Sequence, residues 1–198
     1  MYDYLTSCNV DRLDSVALNY FGKKVTYRHM QEKIDACARA LTAYGVRAGD
    51  AVSLCVLAMP EAVYLLYAIN KIGAIANMLV MNATEAEIHE KLAVTESKVV
   101  ITVDLALEKI VQASKETSVK HIIGVSLAES MPCVIGTLYK WKSKIKQENC
   151  ILFSEFLKAG QGKKIDCQEI KGDAPAVIAY TGGTTGKAKG VLLSNRAA

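Results

Sequence analysis

The feature that most restricts the fold of this chain is a spacing. Residues 51–58, 74–80, 99–102 and 120–125 are apolar runs of strand length, and the stretches between them carry helix signals. Pro60 stands where the first of these helices begins, and Glu61 places negative charge in its first turn, which suits the positive end of the helix dipole. Gly73 marks its stop. Thr84 followed by Glu87 is a capping box and predicts a second helix to about Thr95, and Asp104 caps a third to about Thr117. Strands separated by helices cannot pair through tight turns. They need crossovers, which are right-handed and leave the strands parallel. The predicted fold class is therefore α/β, a largely parallel sheet flanked by helices.

The flanking segments extend this pattern. Residues 16–21 and 24–27 are strand candidates joined at Gly22-Lys23, followed by a helix over 28–44 whose apolar positions Met30, Ile34, Cys37, Leu41 and Tyr44 share one face. Thr26 is its cap and Gly45 its stop. Beyond Ser126 the periodicity weakens. Residues 136–158 read as helical, with Trp141 among Lys140, Lys142, Lys144 and Lys146, a run that fits a solvated face. Residues 160–172 are a polar linker, and 174–180 a strand that enters a glycine-rich turn. This organisation predicts an α/β unit over 1–172 and a strand–loop–strand unit over 173–198, the start of a further segment.

Composition narrows the function classes. With 198 residues and 51% apolar side chains, there is ample material for a core, and two readings fit the surplus: a fully buried sheet, or a surface that expects a partner segment. The net charge of +4 is spread along the chain, without the clustered footprint of a nucleic-acid binder. No signal-peptide pattern opens the sequence, and the apolar runs fall far short of a membrane span. The six cysteines form no CxxC pair, and His29, His89 and His121 show no ligand spacing, so no metal site is expected and the compartment reads as reducing cytoplasm.

The chemistry sits in residues 180–190, Tyr-Thr-Gly-Gly-Thr-Thr-Gly-Lys-Ala-Lys-Gly. Glycines let the backbone approach a ligand, and successive N–H groups in such a turn make a concavity for anionic oxygens. Thr181, Thr184 and Thr185 add hydroxyls, and Lys187 and Lys189 add positive charge, a combination that suits a polyphosphate. The plain alternative is a flexible hairpin between two strands. A Walker A loop is excluded by spacing, because only three residues separate Gly182 from Gly186 and Ala188 follows Lys187.

The longer run Tyr180–Asn195 closely resembles the phosphate-loop signature of the adenylate-forming superfamily, which contains acyl-CoA synthetases, aryl-CoA ligases, luciferases and peptide-synthetase adenylation domains. Val25-Thr-Tyr27, Gly45 to Asp50, Met59-Pro-Glu61 and Lys71 to Ala74 are similar in order and spacing to landmarks upstream of that loop, so the resemblance covers nearly the whole chain. It implies part of the large N-terminal domain of an acyl-CoA synthetase-like enzyme, with Thr181, Gly182, Gly183, Thr184, Thr185, Gly186 and Lys189 holding the phosphates of ATP. Mg²⁺, coenzyme A and a carboxylic acid are the further ligands it implies. Gly182, where the family more often has Ser, and Ala188, where it has Pro, look like some bacterial long-chain fatty acyl-CoA ligases and point toward a fatty acid. An adenylation module that loads a carrier protein and a non-catalytic nucleotide-binding or interaction domain are the alternatives. In the family, the adenine and ribose contacts, most of the acyl pocket and the catalytic lysine lie downstream of this loop. No catalytic residue is therefore expected within the sequence, which reads as the N-terminal part of a longer enzyme, unable to complete adenylation without the remainder.

Overall fold

The computed structural model describes residues 1–131, 150–165, 170–181 and 189–198. A short helix α1 (Tyr2–Cys8) precedes an antiparallel hairpin of β1 (Val16–Tyr20) and β2 (Lys23–Thr26), turned by Phe21 and Gly22, both at positive φ. Helix α2 (Tyr27–Ala43) follows at once, because the Thr26 hydroxyl accepts from the His29 N–H and so satisfies a first-turn donor. Its face of Met30, Ile34, Cys37, Ala38 and Leu41 is buried. Gly45, at φ +79°, turns the chain out of the helix.

The predicted alternation then appears as β3 (Ala51–Cys55), α3 (Pro60–Lys71), β4 (Ile75–Met78), α4 (Glu85–Thr95), β5 (Val99–Val103), α5 (Leu107–Ala113) and β6 (His121–Val125). Both bonds of the Thr84–Glu87 capping box are formed at the start of α4. The β3–β4, β3–β5 and β5–β6 pairs are all parallel. From β3 to β4 the chain steps one way along the sheet, and from β4 to β5 it steps back across β3. Two right-handed crossovers in opposite directions must place α3 and α4 on opposite faces. Packing agrees, with α2 against α3 on one side and α4 against α5 on the other.

Two further segments complete a seven-stranded sheet of order β7-β6-β5-β3-β4-β8-β9. Strand β7 (Ile151–Leu152) runs parallel to β6 and leads into α6 (Phe153–Ala159), which packs on α2. Strand β8 (Pro175–Tyr180) runs parallel to β4, and β9 (Gly190–Ser194) runs antiparallel to β8 as the sheet edge. Side chains from both helix layers, among them Ile34, Leu41, Leu65, Ile69, Ile88, Leu92, Ile110 and Phe156, are fully buried against Leu54, Ile101 and Ile123 of the sheet.

Three departures from the expected elements have physical causes. Ile151 and Leu152 are a strand where a helix was predicted over 136–158, since two residues are too few to break an amphipathic pattern; residues 132–149, with the lysine run, lie outside the described residues. Asp104 opens a 3-10 turn and accepts from the adjacent Leu105 N–H, so α5 starts only at Leu107. That helix ends at Ala113, before the predicted Thr117, because Glu116 takes φ +59° and the Thr117 hydroxyl binds the Ser114 carbonyl. At the end of α6, buried Gly160 meets the backbone of α2: a Cβ there would stand 2.5 Å from Ala40 N and 2.8 Å from Ala40 Cα. Gly160→Ala is expected to cost about 1–3 kcal/mol through overpacking, measured by urea unfolding; a loss under about 0.5 kcal/mol would show that the two helices separate freely.

Candidate functional site

The glycine-rich segment is carried by the β8–β9 hairpin. The ladder runs from Val177 opposite Leu193 to Tyr180 opposite Gly190. One step beyond, the Thr181 N–H donates to the Lys189 carbonyl at 3.0 Å, and the Thr181 hydroxyl reaches the same oxygen at 3.4 Å. Of the residues predicted to hold phosphate, Thr181 and Lys189 are thus brought face to face as an exposed neck. Gly182, Gly183, Thr184, Thr185 and Gly186, together with Lys187, lie outside the described residues. The neck presents one hydroxyl and one ammonium group at the end of an edge hairpin, with the β4 side of β8 buried in the sheet.

A chain of hydroxyl and amide groups, buried at Ser53, Asn77 and Ser97, ties the neck to the interior. The Tyr180 hydroxyl donates to Asn77 Oδ1 at 2.8 Å. Asn77, in the middle of β4 and 0% exposed, donates from Nδ2 to Ser53 Oγ at 2.8 Å and to Thr95 Oγ1 at 3.3 Å. Ser53 in turn donates to Ser97 at 2.8 Å, and the Thr95 and Ser97 hydroxyls meet at 2.9 Å. Thr95 is anchored by the Lys91 carbonyl of α4, and the Lys91 ammonium stands 4.3 Å from the centre of the Tyr180 ring. Burial pushes the Tyr180 phenol above its usual range, while the Asn77 bond opposes the shift. Beside the ring lies a cavity of about 380 Å³ lined by Lys91, Val94, Ile178, Gly190 and Leu192. Neither Asn77 nor Lys91 is among the site residues that the sequence suggests; the available signal is an asparagine inside an otherwise apolar strand.

The model of the AMP-binding enzyme family matches residues 6–198. The chain belongs to the AMP-binding enzyme family. It is 28% identical over 191 residues to the long-chain-fatty-acid–CoA ligase of Bacillus subtilis (strain 168), a match covering 92% of this chain and 34% of that protein. Acetyl-coenzyme A synthetase 1 of Pseudomonas aeruginosa is 29% identical over 197 residues, with 92% of this chain and 29% of the relative covered. Among solved structures, that of the anthranilate CoA ligase AuaEII in complex with anthranoyl-AMP superposes with a TM-score of 0.79 at 22% identity, covering 98% of this chain and 34% of the other. The likeness establishes the fold, and this chain spans about a third of the length of these relatives.

One polar cluster in the chain lies away from the hairpin. Glu61, at the start of α3 and 3% exposed, accepts a short hydrogen bond from the Ser130 hydroxyl through Oε1, and its buried Oε2 has no partner among the described residues. Cys37, Tyr64, Lys23, Lys33 and Phe153 share a cavity of about 240 Å³ with it. Burial pushes the Glu61 carboxyl above the usual carboxylate range, the Ser130 bond opposes this, Glu129 adds to it and Lys23 offsets it. Burial, with the Glu61 charge adding, also holds the Cys37 thiol up at about 12, so Cys37 is an inert core thiol. The folded protein binds the Glu61 proton more tightly than the unfolded chain. The Glu61 contribution to stability is thus present at acid pH and is lost as pH rises from the unfolded value, about 4.3, through the folded one. Relative to Glu61→Gln, the wild type is expected to lose stability steadily across that window in urea unfolding at a series of pH values, and a constant difference would contradict it.

Proposed function

We propose that this chain supplies the ATP-phosphate site of an ATP-dependent carboxylic acid–CoA ligase. The observation that carries the reading is the hairpin neck, with Thr181 and Lys189 hydrogen-bonded across the base of a glycine- and threonine-rich segment inside a chain of the AMP-binding enzyme family. In this reading Thr181, Gly182, Gly183, Thr184, Thr185 and Gly186 offer backbone and hydroxyl donors to the phosphate oxygens, and the Lys189 ammonium adds charge. A carboxylate oxygen attacks the α-phosphorus, the bond to the β-phosphate oxygen breaks, and acyl-AMP and pyrophosphate form. The role of the hairpin is to orient the triphosphate and to stabilise charge on the departing pyrophosphate. The acyl group then passes to the thiol of coenzyme A, with AMP leaving.

No group of three His, Cys, Asp or Glu side chains among the described residues could hold a metal ion. Mg²⁺ therefore fits best as a companion of the nucleotide, kept mainly by phosphate oxygens and water. Its chemistry is charge neutralisation along the polyphosphate. A fatty acid is the favoured acyl substrate, supported by Gly182 and Ala188 and by the similarity to the Bacillus subtilis ligase.

The test is ATP–pyrophosphate exchange with a panel of short, aromatic and long-chain acids, paired with calorimetric titration of Mg·ATP. Binding and acid-dependent exchange, with preference for long chains, are expected of the enzyme that contains this chain. Lys189→Ala should weaken Mg·ATP about tenfold, the worth of one charge-assisted hydrogen bond. Unchanged affinity in that variant would remove the hairpin from the nucleotide site.

A further inference from the structure

We infer that Asn77, Lys91 and Gly190 are positioning residues for the phosphate hairpin, acting through Tyr180 to fix where Thr181 and Lys189 leave the sheet. The inference rests on the proposed phosphate site and names the residues that shape it.

Tyr180 is the last residue of β8 paired in the ladder, so its position determines that of the Thr181–Lys189 neck one step beyond. Strand β9 is the sheet edge, with Val191 41% and Leu192 58% exposed, and the ends of edge strands open at low cost. A slip of one residue would carry the Lys189 ammonium about 3.3 Å along the strand. The Tyr180 side chain opposes such a slip at three points. Its hydroxyl is held by Asn77 Oδ1, and Asn77 cannot swing away, because its Nδ2 is committed to Ser53 and Thr95 in the sheet interior. The Lys91 ammonium sits against its ring at 4.3 Å, a cation–π contact made at a largely buried side chain. Gly190 leaves room for the ring: a Cβ there would stand 3.2 Å from Tyr180 Cε1 and 3.3 Å from Ile178 Cγ2. These restraints come from β4, α4 and β9, so a shift of Tyr180 disturbs three elements together.

A buried polar pair can exist for stability alone, and the two roles have different signatures. Tyr180→Phe removes the hydroxyl and keeps the ring beside Lys91 and Gly190. Positioning predicts that the backbone order parameter of Thr181, measured by nuclear magnetic relaxation without nucleotide, falls from the rigid range of about 0.85 toward about 0.6, while that of Ile101 in β5 stays rigid. Mg·ATP affinity should fall about fivefold in the folded variant, the equivalent of one neutral hydrogen bond. Asn77→Ala should do the same, and the double variant should be no weaker than Asn77→Ala alone, because both remove one bond. Gly190→Ala, which displaces the ring and leaves the hydrogen bond donors intact, should move both readouts in the same direction. A lowered unfolding midpoint with unchanged Thr181 order and unchanged Mg·ATP affinity would overturn the inference and leave the pair a structural one. If the wild type binds no Mg·ATP, the phosphate reading fails, and the Thr181 order parameter still decides whether Tyr180 holds the neck.

Discussion

The parallel pairing of β4 with both β3 and β8 is the constraint on which the rest of the molecule depends. Strand β4 is short, Ile75–Met78, yet it joins the continuous run of strand–helix units to the hairpin that carries the glycine-rich segment. The backbone bonds of that pairing set the height of β8 in the sheet, with Asn77 opposite Ile178. Side chains add direction. Asn77 is the one amide in this strand whose oxygen faces the hairpin and whose nitrogen faces the core, so burial of the strand and orientation of the hairpin are the same event. A network of this kind confers uniqueness more than stability, since each bond replaces one made with water.

Much of the fold was legible because local signals and the global arrangement agree. Thr84 and Glu87 form the capping box that their spacing implies, and Gly45 and Gly73 end helices at the positive φ that only glycine adopts without strain. The buried face of α2 follows from a pattern of threes and fours that no strand could satisfy. Strand β7 was hidden because Ile151 and Leu152 pair with β6, some thirty positions earlier, a partner that local periodicity does not announce. The early end of α5 had a similar cause, a positive φ at Glu116 that no glycine announces.

The candidate site rests on residue types visible in the sequence and on support that is not. Glycines, threonines and lysines at 181–189 are the residue types on which the proposed phosphate site rests, and family resemblance leads to the same proposal. The residues that hold the neck are of ordinary kinds and come from distant positions: Tyr180 and Asn77 are 103 apart in sequence. Single-sequence periodicity carries no information on such a pair. Glu61 illustrates the opposite case. Its place in the first turn of α3 was apparent, whereas its burial beneath Ser130 depends on a segment that passes over it from another part of the chain.

Whether the hairpin neck meets the polyphosphate of ATP is decided by mapping amide chemical shifts during titration with Mg·ATP. The resonances of Thr181 and Lys189 are expected to move first and furthest, while those of Lys33 and Ser130 around the Glu61 cavity stay in place. Shifts confined to the Glu61 cavity and its lysine rim, with Thr181 and Lys189 unmoved at saturating nucleotide, would contradict it.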